Sequence, residues 1–183
     1  MKRVVFAIDS LAGGGAERVT VELAREMQNQ GVQVFLILQK PDIAYPVDDL
    51  QIIVSNSSID SSSMYIPKIL FQRKVVKIYD QLFNQIEQKY GKIDLIFSSL
   101  ETNYIIFKSK YRHKCYFTIH TTISLALQKK VGKTCKYLVY IFFLRFIYKK
   151  NRVITVSKGI MRDLINQIKI RPQYLNYIYK ATS

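Results

Sequence analysis

The 183-residue sequence has few cysteines, few prolines and glycines, and no long apolar run, and each shortage excludes a class of protein. Cys115 and Cys135 have no paired CxxC spacing, so we expect neither a disulfide scaffold nor a structural zinc site, and reduced thiols in a cytoplasm. Four prolines and seven glycines argue against disorder and against collagen-like or repetitive fibres. No apolar stretch reaches about 18 residues, and residues 1–8 continue into Asp9 without a cleavage-like motif. A spanning helix and a signal peptide are therefore both disfavoured.

Acidic residues are scarce in the second part of the chain. The net charge is +15, but residues 1–60 hold 5 basic and 8 acidic residues, a net of −3, whereas residues 61–183 hold 23 and 5, a net of +18. Fourteen Lys and Arg residues and no carboxylate lie between Glu101 and Asp163. This excess predicts an anionic partner or surface, and charge alone leaves nucleic acid, a membrane leaflet and a phosphorylated small molecule open.

Short apolar runs alternate with amphipathic segments along the chain. Strands are predicted over residues 3–8, 32–38, 51–54, 93–98, 115–119, 152–156 and 174–179, and helices over 16–30, 65–90, 123–150 and 158–168. The first strand, helix and second strand form a βαβ unit with parallel strands. The alternation predicts an α/β fold with a doubly wound, mostly parallel Rossmann-like sheet. No linker or internal repeat divides the chain, so we predict a single domain.

Three consecutive glycines, Gly13, Gly14 and Gly15, lie between the first predicted strand and helix. Ligands of such sheets bind at the carboxyl ends of the strands, where glycines permit close backbone approach and a helix start presents N–H groups to an anion. The loop predicts a phosphate site, and the alternative is a tight turn that binds nothing. It is not a dinucleotide fingerprint, because Arg18 stands at the third glycine position, and it is not a P-loop, because it lacks lysine.

Several segments resemble one enzyme family. GGGAERVTVELAREMQNQGVQVFLIL resembles the N-terminal signature of the family 4 (group 1) retaining glycosyltransferases of GT-B fold, in which a Gly-Gly-x-Glu-Arg loop opens the first helix. DLIFSSLETNYI, FTIHTT and RVITVSKGIMRDLI are similar to later segments of that family, in the same order. The resemblance covers nearly the whole chain. It implies that residues 1–183 form the N-terminal, Rossmann-like acceptor-side half of a GT-B fold, with the C-terminal donor-binding domain absent.

The resemblance also implies a function. A sugar would pass from a nucleotide-sugar donor to a glycan or lipid-linked acceptor in cell-surface polysaccharide synthesis, with retention of configuration and without a cofactor. The isolated chain would have little or no activity, because the absent domain holds most of the donor. Two other functions stay open: a non-catalytic phosphate- or nucleotide-binding α/β module, and a basic peripheral membrane-binding domain.

His120 directly follows the strand predicted over residues 115–119, at the same edge of the sheet as the glycine loop. By the resemblance it is the candidate catalytic residue, hydrogen-bonding the transferring sugar or the acceptor hydroxyl near the reacting carbon. The alternative is a histidine that caps the next helix or binds loop carbonyls. The candidate substrate-binding residues are Gly13, Gly14, Gly15, Asn103, Thr121 and Ser157.

Helix capping is an alternative role for Ser157, which precedes a predicted helix. A metal site is not indicated. Asp48 and Asp49 lack a D-x-D spacing, and His113, Cys115 and His120 lie around a strand rather than on one helical face.

Residues 137–148 (YLVYIFFLRFIY) are apolar or aromatic except for Arg145, with lysines on both sides. A helix beside a sheet needs one apolar stripe, so a neighbouring helix, an oligomer partner, the absent domain or a bilayer interface would cover the other face. Such a helix, roughly 18 Å long, is too short to cross a core of about 30 Å. We expect attachment to an anionic membrane surface at the inner face of the cell membrane, and a buried core helix is the alternative. Nucleic acid is not expected, because no reader motif accompanies the charge.

Overall fold

The computed structural model describes residues 1–55, 57 and 73–178. The chain divides into two compact units, Met1–Cys115 and Tyr116–Ser183, which are described in turn.

The first unit is a parallel sheet with helices. Its strands are β1 (Arg3–Ile8), β2 (Gln33–Leu38), β3 (Gln51–Val54) and β4 (Leu95–Ser99). Its helices are α1 (Gly15–Asn29), α2 (Arg73–Tyr90) and α3 (Thr102–Ile106), with a 3-10 helix over Lys110–Lys114. The strand order is β3-β2-β1-β4, and every neighbouring pair is parallel.

Helices cover both faces of this sheet because side chains alternate along its buried strands. One face packs against α1, and its core consists of Val4, Phe6, Ile8, Val34, Leu36, Leu38, Val21 and Ala24. Phe35 lies on the opposite face, where its ring contacts Tyr90 of α2 at a centroid distance of 4.9 Å. The first unit is therefore doubly wound.

The second unit repeats the pattern on a smaller scale. Its strands are β5 (Cys115–Ile119, beginning at the last residue of the first unit), β6 (Arg152–Thr155) and β7 (Tyr174–Tyr177), paired in that order and parallel. Its helices are α4 (Ile123–Val131), α5 (Cys135–Tyr148) and α6 (Lys158–Asn166). Phe117 of β5 contacts Tyr148 of α5 edge to face, with ring centroids 6.3 Å apart.

The predicted α/β class with a parallel, Rossmann-like strand arrangement is confirmed. The prediction of one helix over residues 123–150 is wrong, because Gly132 has φ of +62° and ends α4 before α5 begins. A left-handed φ is accessible to glycine and interrupts the helical hydrogen-bond series. Of the helix predicted over 65–90, residues 65–72 lie outside the described residues, as does residue 179 of the last predicted strand.

Candidate functional site

The glycine loop at the carboxyl end of β1 is held by the segment that follows β2. The Leu11 N–H donates to the Asp42 carbonyl at 2.8 Å, and the Leu11 carbonyl accepts the Ala44 N–H at 2.8 Å. The Tyr45 hydroxyl donates to the Gly14 carbonyl at 2.9 Å. The three glycines themselves are exposed, so the loop is anchored while its backbone stays accessible.

The three glycines differ in what surrounds them. Gly13 has φ of +107°, which favours glycine, and Gly14 is the extended residue that precedes α1. A Cβ on Gly14 would collide with the Glu17 carboxylate, whereas a Cβ on Gly15 would meet nothing within 4 Å. Glu17 therefore already places negative charge beside the positive end of α1, and the open approach to the helix start lies at Gly15.

Asp9, the residue that follows β1, connects this strand to the start of α3. Its carboxylate accepts the Thr102 N–H at 3.1 Å and the Glu101 N–H at 3.3 Å. Burial, reinforced by the negative charge of Glu101, raises the pKa of Asp9 to about 7. Asp9 is thus a partly buried carboxyl with a pKa raised toward neutrality, four residues before the first glycine of the loop.

Asn103 lies in the first turn of α3 and is only 2% exposed. The preceding turn is fixed by Thr102, whose hydroxyl donates to the Ala7 carbonyl at 2.9 Å. Leu100 has φ of +56°, a strained value for a residue with a side chain, costing roughly 1 kcal/mol. The hydrogen bonds from the Glu101 and Thr102 amides to the Asp9 carboxylate hold this turn in place. A substrate-binding role for Asn103 stays a prediction.

Gln39, which follows β2, lies beside Asp9. Its N–H donates to the Asp9 carbonyl at 2.9 Å, and its side chain is buried. The Nε2 of Gln39 has no hydrogen-bond partner among the described residues. Tyr104 lies in α3. Burial raises its pKa to about 12, so the Tyr104 hydroxyl stays neutral. The carboxyl edge of the first sheet thus combines a buried amide donor with a carboxyl of raised pKa.

His120 follows β5 in the second unit and is partly buried. Its Nε2 lies 3.1 Å from the Thr118 hydroxyl oxygen. Burial lowers the pKa of His120 to about 4, so the imidazole is neutral at physiological pH. Thr121, the next residue, is exposed. The arrangement suits a hydrogen-bonding group and does not supply a positive charge.

Asp163 of α6 fixes the start of α4, the helix that follows His120. Its carboxylate accepts the Ser124 N–H at 3.1 Å and also the Ser124 hydroxyl. Ser157 caps α6, because its hydroxyl accepts the Ile160 N–H at 3.2 Å. The capping alternative raised for Ser157 is therefore observed, and its role in substrate binding stays a prediction.

Sequence reasoning missed Asp9 and Asp163 as site-forming residues. Both carried a signal: Asp9 directly follows a buried strand at the ligand-binding edge, and Asp163 lies on the same side of its helix as Ile160 and Leu164, which are buried with it. An acidic residue on the buried face of a helix indicates a specific hydrogen-bond partner.

Over residues 1–55, 57 and 73–178, no group of three or more His, Cys, Asp or Glu side chains is arranged to hold a metal ion. Within the same ranges, no helix is both long and apolar enough to span a membrane.

A family model matches most of the chain. The family model described as Glycosyltransferase Family 4 matches residues 13–182. No curated protein matches the chain.

Solved structures show the same fold. A sucrose-phosphate synthase from Thermosynechococcus elongatus superposes with a TM-score of 0.70 at 12% identity, covering 100% of this chain and 49% of that one. Arabidopsis thaliana UGT89C1 complexed with UDP gives 0.57 at 9% identity, covering 100% and 53%. The apo lipopolysaccharide outer core galactosyltransferase WaaB gives 0.54 at 14% identity, covering 100% and 46%. This chain thus spans about half the length of these structures.

Proposed function

Because the chain belongs to glycosyltransferase family 4, we propose that it is the N-terminal, acceptor-side domain of a retaining, nucleotide-sugar-dependent glycosyltransferase. The family resemblance seen in the sequence and the Rossmann-like fold of GT-B enzymes are both confirmed. The single observation that supports the proposal is the exposed glycine loop opening α1 at the carboxyl end of β1, inside the family match. Parallel sheets bind phosphorylated ligands at this edge.

We further propose a nucleotide-sugar donor and a glycan or lipid-linked acceptor in cell-surface polysaccharide synthesis, at the inner face of the cell membrane. The UDP held by the Arabidopsis protein supports the donor class, and the lipopolysaccharide galactosyltransferase supports the acceptor class. The charge of +18 over residues 61–183 favours anionic partners, among them a lipid-linked acceptor or its membrane.

In the proposed reaction, the acceptor oxygen bonds to the anomeric carbon on the face from which the diphosphate leaves. The bond from that carbon to the diphosphate oxygen breaks, and the acceptor proton passes to the departing diphosphate. The glycine loop approaches the donor diphosphate. His120, neutral and with Nε2 beside Thr118, orients a sugar or acceptor hydroxyl through its other ring nitrogen. A donor-binding domain outside this chain stabilises most of the leaving-group charge.

Gly15 offers the cleanest test of the phosphate site. A Cβ there meets nothing within 4 Å, so Gly15→Ala leaves the protein's own packing intact while filling the ligand's approach. We expect weak, about millimolar, binding of UDP or GDP to the wild-type chain by phosphorus NMR, and a loss of about tenfold in Gly15→Ala. Gly159→Ala is the matched control, because its Cβ meets only the Ser157 hydroxyl at an ordinary 3.7 Å.

Equal nucleotide affinity in wild type and Gly15→Ala would contradict the phosphate role of the loop.

A transfer assay tests the proposed division of labour between domains. With radiolabelled nucleotide sugars and a lipid-linked oligosaccharide fraction, the 183-residue chain should bind acceptor but transfer little or no sugar. Measurable sugar transfer by the chain alone would refute the half-enzyme proposal.

A further inference from the structure

Helix α5 has a second apolar face that the second unit does not bury. Tyr140, Ile141, Leu144, Ile147 and Tyr148 are buried on one side of the helix. The opposite side carries an apolar stripe of Leu138, Val139, Phe142 and Phe146, whose side chains are 50% to 67% exposed. At about 100° per residue, these four positions fall within an arc of roughly 100°. One side of α5 therefore belongs to the core and the other is presented outward.

Exposed lysines flank the apolar stripe on both sides in the sequence. They are Lys129, Lys130, Lys133 and Lys136 before it, and Lys149 and Lys150 after it. The stretch from Glu101 to Asp163 contains no other carboxylate, so the positive charge around the stripe is not interrupted along the sequence. Aromatic and aliphatic side chains framed by lysines match the boundary of an anionic bilayer, because lysine stems lie along apolar surface while their ammonium groups reach headgroup phosphates.

We propose that the apolar stripe and its bordering lysines dock on the surface of an anionic bilayer, with Leu138, Phe142 and Phe146 at the headgroup boundary. The charge pattern selects this occupant over a second copy of the chain. Two stripes meeting face to face would bring the same lysines together, and added salt would strengthen that contact by screening the repulsion. Docking on anionic lipid has the opposite dependence, because salt weakens the attraction.

This docking surface would bring the domain to a bilayer that carries a lipid-linked acceptor, and the identity of that acceptor rests on the proposed function. Binding to vesicles is measured without donor or sugar transfer. If the chain binds vesicles but no acceptor, the bilayer-docking proposal stands and the proposed acceptor is contradicted. Failure of the docking proposal is therefore distinguishable from failure of the proposed function.

Cys135 provides a direct reporter for the stripe. It is the first residue of α5 and is exposed, whereas Cys115 is buried. A polarity-sensitive fluorophore attached through its thiol will therefore label Cys135 selectively, three residues before Leu138. With vesicles of phosphatidylcholine and phosphatidylglycerol at low salt, the emission should shift to the blue. Pure phosphatidylcholine or high salt should greatly reduce the shift.

One variant of the bordering lysines and one of the apolar stripe, each with a matched control, separate electrostatic from apolar contributions to vesicle binding. Lys149→Gln with Lys150→Gln should weaken vesicle binding by about 25-fold, at roughly fivefold per lysine. Lys2→Gln with Lys92→Gln, at two exposed lysines of the first unit, should change it by about twofold or less.

Phe142→Ser should weaken vesicle binding on the order of tenfold. Leu23→Ser, at a site 38% exposed on α1, is its control and should have little effect. Circular dichroism of each variant establishes that the fold is retained.

Absence of wild-type binding to anionic vesicles would overturn the proposal. Equal binding by the wild type, the Lys149→Gln and Lys150→Gln double variant, and Phe142→Ser would overturn it as well. Light scattering tests the competing occupant. A dimer that strengthens with salt and is lost in Phe142→Ser would assign the stripe to a second copy of the chain and overturn the lipid assignment.

Discussion

The stability of the protein should depend on pH through Asp9. Burial and the neighbouring Glu101 outweigh the hydrogen bonds from the Glu101 and Thr102 amides and the charge of Lys40, and raise the pKa of Asp9 from 3.8 to about 7. Below about pH 4 the carboxyl is protonated in the folded and unfolded chain alike, and its stabilising contribution is fully present. Between about pH 4 and 7 the unfolded chain releases the proton and the folded chain retains it, so stability falls as pH rises.

The size of this effect follows from the displacement of the pKa. A difference of about three units corresponds to about 4 kcal/mol, lost at about 1.4 kcal/mol per pH unit up to about pH 7. Asp9→Asn removes the titrating group. It also leaves one carbonyl oxygen for two N–H donors, which costs about 1–3 kcal/mol at every pH. The variant should therefore show a flatter pH profile of stability and a constant offset.

Urea unfolding at several pH values between about 5 and 8 measures both quantities. Between about pH 5 and 7 the wild type should lose about 2 kcal/mol relative to Asp9→Asn, because Asp9 is already half ionised at the upper end of this range. The exposed Asp48 supplies the control, because Asp48→Asn should leave the wild-type slope unchanged. Parallel pH profiles for wild type and Asp9→Asn would refute the assignment of a raised pKa to this carboxyl.

Three further predictions concern the second unit. Ser157→Ala removes the cap of α6 and should lower the free energy of unfolding by about 1 kcal/mol, whereas Ser157→Gly should lower it by only a few tenths of a kcal/mol. An equal loss of stability in the two variants would contradict the capping role. Asp163→Ala leaves the buried Ser124 amide without its acceptor and should cost about 2–3 kcal/mol in the same urea assay, whereas a cost near zero would show that Ser124 finds another partner. The His120 ring protons should show no titration in NMR spectra above about pH 5.5, because burial lowers the pKa to about 4, and a midpoint near 6.5 would contradict this.

Local patterns were sufficient to predict most elements of the fold. Three elements, β1, α1 and β2, each coincide with one uninterrupted hydrophobic pattern in the sequence. Their observed bounds lie within a residue or two of the predicted ones. The short helix α3 was not predicted, because five residues are too few to establish a helical period. The break at Gly132 was overlooked because the apolar pattern is strong on both sides of it, and a single glycine can be tolerated within a helix.

The candidate site was predictable where it depends on strand ends. The glycine loop and His120 each follow a strand, and in parallel sheets the carboxyl end of a strand is where ligands bind. The contacts that shape these positions were not predictable, because they join residues far apart in the sequence. Asp9 contacts amides more than ninety positions away, and Asp163 contacts Ser124 at a separation of 39.

Hydrophobic periodicity and short motifs are local properties of a chain, so the α/β class, the parallel strands, the glycine loop and the family could all be inferred from the order of residues. Which polar groups are buried, and what they contact, depends on the folded arrangement of distant segments. Burial makes Asp9 a carboxyl with a pKa near 7 and leaves His120 neutral, and packing turns one side of α5 inward while its other apolar side stays exposed. Desolvation and exposure depend on the surroundings that distant segments create, and no local pattern contains them.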